Sequence, residues 1–336
     1  MLIDGGISNN LANVGAQAAA AEGAGYDAVW GSETNHDPFL PLLLAAEHTD
    51  RMAVGTAIAV AFARSPMTTA NVGWDLNAYS QGRFLLGLGS QIKPHIEKRF
   101  SMPWSHPAPR MREFVSAMRA IWDCWQNGTK LNFRGDFYSH TLMTPFFDPG
   151  PNEFAAPQVF LAAVGEGMTR VAGEVADGML VHGFTTERYL REVTVPTVSA
   201  GLDASGRNRG QFQFSYPMFV VTGAGDKDTA EASAATRKQI AFYASTPAYR
   251  PVLELHGWGE LQTELNGLSK QGQWDTMGTL ITDEILDAFA VVAPPDKVAA
   301  GIMARVGDLV DRVSLYTPLL PSEEVIAQIL SDLKAY

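Results

Sequence analysis

Cysteine is almost absent. Of 336 residues only Cys124 carries a thiol, so no internal disulfide ties the chain together, and its setting in "AIWDCWQNG" reads as core filling. Charged residues are also scarce, at 18%, and they sum to −11. That balance argues against a general nucleic-acid or anionic-membrane surface, so an anionic ligand would need a local cluster of donors. No stretch approaches the roughly 20 apolar residues that span a bilayer. The opening "MLIDGGISNN" lacks the basic-then-apolar pattern of a leader, so the expectation is a cytoplasmic protein with neither nucleic acid nor membrane as partner. The seven histidines and single cysteine show no HxxxH, CxxC or HExxH spacing, which leaves metal chemistry without a ligand set. P-loop and GxSxG patterns are missing too, and nothing proposes a covalent nucleophile.

Apolar residues, at 46%, are plentiful enough for a large core. Eight strand-like runs can be read: "MLIDGGI", "YDAVWGS", "MAVGTAIAVAF", "RFLLGLGS", "PQVFLAAVG", "DGMLVHGF", "FQFSYPMFVVTG" and "RVSLYTPLL". Helical patterns separate them, among them "PRMREFVSAMRAIWDCWQ" and a stretch "TTERYLREVTVPTVSA" interrupted at Pro196. Strict alternation implies parallel strands joined by crossover helices, and eight such units make a (β/α)8 TIM-type barrel spanning residues 1–336 as one domain. A doubly wound sheet is the runner-up, without its usual glycine fingerprint, since "DGGISNN" is not GxGxxG. Two segments exceed the repeat. Residues 128–156 contain a hairpin with its turn near Gly135 and Asp136, and residues 245–311 form a helical insertion read as a lid or partner surface.

The third run poses a question. From Ala53 to Ala63 every second residue is Ala or Gly, with Val54, Thr56, Ile58, Val60 and Phe62 between. A strand with one bulky and one bare face either receives a large neighbour or lets a ligand lie against its backbone.

Chemistry in a barrel gathers where strands end. After the second run, "GSETNHDPFLP" places Glu33 and His36 close enough to act as an acid-base pair, while Asp37 before Pro38 has the form of a helix cap. The fourth run ends in Gly89, Ser90 and Gln91, followed by Lys93, His95, Lys98 and Arg99 as a candidate anion cluster. The fifth ends in Val164, Gly165, Glu166, Gly167, Met168 and Thr169, glycines at a helix opening whose free N–H groups suit phosphate. The sixth presents His182 and Gly183.

Taken in order, "YDAVWGSETNHDPFLPLLLAAEHT", "VGTAIAVAFARSPMTTAN", "GRFLLGLGSQ" and "LAAVGEGMTRVAGEVADGMLVHGF" resemble the bacterial luciferase-like monooxygenase superfamily, and within it the actinobacterial oxidoreductases that use the deazaflavin coenzyme F420. The resemblance implies a bacterial-luciferase-like TIM barrel with insertions, homodimeric, holding a deazaflavin at the strand ends and moving a hydride to or from a small organic substrate. It implies a bulge in the third strand, often with a non-prolyl cis peptide, supporting the cofactor ring at Ala57, Ile58, Ala59 and Val60. It maps further cofactor contacts onto Gly89, Ser90, Gln91, Gly165, Gly167, Met168 and Thr169; to these the strand-end reading adds Val164, His182 and Gly183, and it takes His36 or Glu33 as the catalytic group that exchanges the proton. The alternatives are an FMN-dependent monooxygenase of the same superfamily and a non-catalytic deazaflavin-binding protein.

Overall fold

A computed structural model describes all residues, 1–336. Its strands are β1 (Leu2–Gly6), β2 (Ala28–Gly31), β3 (Ala53–Thr56), β4 (Ala59–Val60), β5 (Phe84–Gly89), β6 (Phe133–Arg134), β7 (Ser139–His140), β8 (Gln158–Ala163), β9 (Gly178–Val181), β10 (Gln213–Val221), β11 (Ala290–Val292) and β12 (Arg312–Tyr316). All eight expected runs carry a strand, and helices separate them. The third run departs from expectation: it breaks into β3 and β4, with a 3-10 turn at Ala61–Ala63, where one continuous strand was expected. No helix is long and apolar enough to cross a membrane.

The chain divides into two compact units. An amino-terminal unit comprises Asp4–Leu180 and Thr197–Gln213; a carboxyl-terminal unit comprises Met1–Ile3, Val181–Pro196 and Phe214–Tyr336.

In the amino-terminal unit β1, β2, β3, β5 and β8 form a parallel ladder, with β4 rejoining β5 beyond the break. Glycine and alanine at β3 are explained first by a neighbour: a Cβ on Gly55 would sit 2.5 Å from the Trp30 ring. That indole is anchored by donating to buried Asp4 at 2.8 Å and packs edge-on against Phe160. The helix Pro107–Asn127 follows from its spacing, since Met111, Phe114, Val115, Met118, Ile121, Trp122 and Trp125 fall on one buried stripe. Each such side chain contributes about 1.5–3 kcal/mol on burial. Cys124 is buried on the same helix, as core filling requires. The expected hairpin forms from β6 and β7, antiparallel, and its turn is gripped by Glu113, which accepts N–H bonds from Asp136, Phe137 and Tyr138.

A second carboxylate of this kind gives a testable pH dependence. Glu22 accepts N–H bonds from Asp50 (3.2 Å), Arg51 (2.7 Å) and Met52 (2.7 Å), tying down the turn that leads into β3. Burial pushes its pKa upward, but those three donors and the nearby Arg51 outweigh it and leave the carboxyl below its ordinary value. A carboxyl with a lowered folded pKa stabilises above its unfolded value, and that contribution disappears as pH falls through the folded one. Glu22→Gln is therefore expected to be less stable than the parent near neutrality, with the difference shrinking at acid pH as the carboxyl protonates through its lowered folded value. Urea unfolding at both pH values checks this; a constant difference would assign the effect to packing.

In the carboxyl-terminal unit β10 pairs in parallel with β12 and β11, and Leu2 N–H donates to the Asp311 carbonyl at 2.9 Å. The long insertion contributes β11 as well as helices, and it packs as core: Val252, Leu253, Leu265, Met277, Ile281, Ile285, Leu286 and Phe289 are buried with Phe219 and Ile240. The expected break at Pro196 is instead a π-helical turn, Leu190–Thr194, running straight into the helix Val195–Ala204. Proline has no N–H to give back to the preceding turn, and the widened turn accommodates its loss.

Candidate active site

Register defines the first element of the site. Gly55 pairs with Leu85, and Ala59 pairs with Leu88, so the β3–β4 segment holds one residue more than its partner strand over the same span. This is a β-bulge, and within it the Ala57–Ile58 peptide is cis. The break is held on both sides. From the β2 end, Ala57 N–H donates to the Gly31 carbonyl (2.7 Å) and Glu33 N–H to the Ile58 carbonyl (3.1 Å). From the β5 side, the Thr56 hydroxyl donates to the Gly87 carbonyl (2.6 Å) and accepts from Gly87 N–H (2.9 Å).

Glycines 87 and 89 answer the need for close approach. A Cβ on Gly87 would lie 1.7 Å from the Thr56 carbonyl oxygen, and one on Gly89 would meet the Ile58 side chain at 2.9 Å. Ala57 and Ile58 remain partly exposed, but Ala59 and Val60 are fully buried, at 0%. Of the four residues expected to support a ring, Ala57 and Ile58 are thus the two that keep exposed surface beside the bulge.

Glu33 and His36 do not form a pair. The Glu33 carboxylate, 6% exposed, accepts from Val60 N–H at 2.7 Å and from Arg64 at 2.6 Å, so it braces the bulge. Arg64 also reaches Asp37 at 3.2 Å and lies over the Phe39 ring. Asp37 takes the Phe39 N–H at 2.9 Å, a capping bond with Pro38 just outside the helix rather than its first residue. His36 is exposed and makes no hydrogen bond within the chain. Arg64 was the residue that sequence reasoning passed over; a lone cation at the end of the alternating run was its only signal.

At the β5 tip the Ser90 hydroxyl donates to the Gln91 carbonyl (3.1 Å), and the Gln91 side-chain oxygen accepts from Ile92 N–H (3.1 Å). The basic cluster is partly spent: Lys93 pairs with Glu97 at 3.8 Å, and Arg99 donates to the Thr34 carbonyl, bracing the loop that carries His36.

After β8, the helix Glu166–Val175 opens with Gly165 as its cap residue and no side chain capping it. Met168 and Thr169 give their N–H groups to the Gly165 carbonyl, at 3.1 and 3.0 Å. Those of Glu166 and Gly167 find no acceptor in the chain. Val164, Gly165, Glu166 and Gly167 are exposed and Met168 is half-buried. Thr169 is 4% exposed, with its N–H committed.

His182 and Gly183 belong to the carboxyl-terminal unit, at the end of β9. His182 Nδ1 accepts the Phe184 N–H at 3.0 Å, and burial pulls the imidazole down to about 4, leaving it neutral. A Cβ on Gly183 would meet Tyr316 at 3.0 Å.

Residues 3–312 match the luciferase-like monooxygenase family, and the chain belongs to that family of enzymes. An uncharacterized protein of Mycobacterium tuberculosis is 58% identical over 99% of this chain and 97% of its own length. The 5,10-methylenetetrahydromethanopterin reductase of Archaeoglobus fulgidus is 28% identical over 92% of this chain and 91% of its own. Among solved structures, the coenzyme F420 dependent tetrahydromethanopterin reductase from Methanopyrus kandleri aligns with a TM-score of 0.77 at 20% identity, covering 98% of this chain and 96% of that one. That likeness shows the fold, a TIM-type barrel of eight parallel strands.

Proposed function

We propose that this protein is an F420-dependent oxidoreductase that moves a hydride between the deazaflavin and a small organic substrate. The observation that carries the reading is the braced bulge, which leaves Ala57 and Ile58 partly exposed just beyond the end of β3. The relationship to methylenetetrahydromethanopterin reductase over nearly the whole chain supports it.

The residues fit such a cofactor. A Cβ on Gly165 would meet nothing within 4 Å, and one on Gly167 would meet only the Ala108 side chain at 3.8 Å. Internal packing therefore does not demand these glycines, and the N–H groups of Glu166 and Gly167 are free for an anionic oxygen. Ala57 and Ile58 would support the ring, with Gly89, Ser90 and Gln91 at the neighbouring tip. A bound deazaflavin supplies a carbon that exchanges hydride and reacts poorly with oxygen. His36, exposed on the loop after β2, would hold or release the accompanying proton at its imidazole. Glu33 acts as a positioning residue, fixing the bulge through Val60 N–H and Arg64.

Side-by-side titration with F420 and FMN tests this reading, with F420 expected to bind more tightly and no oxygen to be consumed. Tighter binding of reduced FMN together with oxygen uptake would make the protein a monooxygenase instead, in keeping with the family's name. A sharper probe is Gly165→Ala. With open space around the added methyl, stability should change by no more than about 0.5 kcal/mol, while F420 affinity falls severalfold. Unchanged affinity would remove the helix opening from the cofactor site.

A further inference from the structure

The end of β9 and the end of β12 bring together an aromatic cluster with polar tips. His182 stacks on Tyr249 with ring centroids 4.5 Å apart and meets Tyr243 edge-on at 4.8 Å. Tyr243 and Tyr316 share a hydroxyl–hydroxyl bond of 2.8 Å, and Tyr316 stacks on Phe219. His182, Tyr243, Tyr249 and Tyr316 are all half-buried, so each keeps some surface for a ligand.

Hydrogen-bond direction can be followed through this cluster. Phe184 N–H donates to His182 Nδ1, which must therefore be unprotonated. The neutral ring then carries its proton on Nε2, 3.0 Å from the Tyr249 hydroxyl oxygen, so the imidazole donates and the phenol accepts. Tyr249 is left with its own O–H proton, and no acceptor for it exists within the chain. The rings packed around His182 and Tyr249, namely Phe184 and Tyr243 with Tyr316 and Phe219 beyond them, are all uncharged.

We infer that Tyr249 is the hydrogen-bond donor that selects the substrate, binding the carbonyl oxygen of an uncharged, largely apolar molecule, and that His182 is the positioning residue that aims it. Strand ends of this barrel's carboxyl side are where substrates bind, which is the one step that rests on the oxidoreductase reading. Burial raises the Tyr249 phenol to about 12, so it remains a donor through the physiological range. A carboxylate lying against these rings would lose hydration without gaining a countercharge from them.

The test uses the full chain without cofactor and acetophenone carrying a 13C-labelled carbonyl. Isotope-edited infrared spectra should show a bound carbonyl band lowered by hydrogen bonding. In Tyr249→Phe, which keeps the ring and removes only the hydroxyl, that band should return towards its position in aprotic solvent and affinity should fall roughly tenfold. An unchanged band and affinity in Tyr249→Phe, or no bound band in the parent, overturns the inference. Should Tyr249→Phe fail to fold, His182→Phe decides: the freed hydroxyl can turn, so the band should broaden and affinity weaken about threefold, and an unaltered spectrum overturns it. Because no deazaflavin is present, a protein that prefers FMN in the titration yet keeps the Tyr249-dependent band would refute the F420 reading and leave this one standing.

Discussion

Gly87→Ala should destabilise the protein by at least about 3 kcal/mol, the upper end of the usual cost of overpacking, and should remove F420 binding in whatever fraction still folds. The added Cβ would lie 1.7 Å from the Thr56 carbonyl oxygen, 2.9 Å from its carbon and 2.8 Å from the Leu180 side chain. Two of those atoms are backbone, so no rotamer change relieves the contact. Moving Thr56 would break its paired hydroxyl bonds to Gly87 and displace the bulge that begins one residue later. Urea unfolding and F420 titration on the same preparation give the answer. A variant that unfolds like the parent and binds normally would mean the bulge tolerates movement and is not a fixed support. The contrast with Gly165→Ala is the useful control: one glycine is required by the backbone facing it, the other faces open space.

The eight strands were legible because parallel strands buried on both faces produce apolar runs, and the intervening helices break them at regular intervals. Small-large alternation from Ala53 to Ala63 was legible too, but its meaning was not. Period-two reading assumes that every residue advances the pairing by one, and a single inserted residue reverses inside and outside beyond it. Ala53 and Gly55 do carry the bare face, covered at Gly55 by Trp30, whereas Ala59 beyond the bulge is sealed in the core. The alternation continued across the break because both sides of β4 are buried, so composition alone did not mark the insertion.

Glu33 illustrates a different limit. Its place at a strand end pointed to function, and sequence proximity suggested His36 as its partner. The structure gives it Arg64, 31 residues away, and the Val60 N–H, 27 residues away. Pairings that depend on the path of two strand tips leave no local trace. The same holds for Tyr243 and Tyr249, which lie in "AFYASTPAY", a stretch whose aromatic spacing is that of an ordinary helix and loop. Histidine 182 was visible at the end of its strand, but its tautomer depends on the N–H of Phe184 two residues later, a backbone detail.

With Glu33 committed to the bulge, the proton that accompanies hydride transfer falls to His36 in the proposed reaction. Its loop is fixed from two sides, by Arg99 on the Thr34 carbonyl and by Arg64 on Asp37, while the imidazole itself is exposed and free of internal bonds. A positioned general acid or base is worth about 10²- to 10⁴-fold in rate. His36→Ala should therefore lower single-turnover hydride transfer by about 10²-fold or more, read from the deazaflavin absorbance with a reactive ketone or alcohol, while F420 affinity stays within a few-fold. Stability should be nearly unchanged, since the side chain buries nothing. Glu33→Gln separates the two roles: loss of its ionic bond to Arg64 should loosen the bulge and weaken F420 binding, where loss of His36 should not. If His36→Ala reacts at the parent rate across the pH range, the proton is exchanged by another group and the loop after β2 serves only to position the bulge.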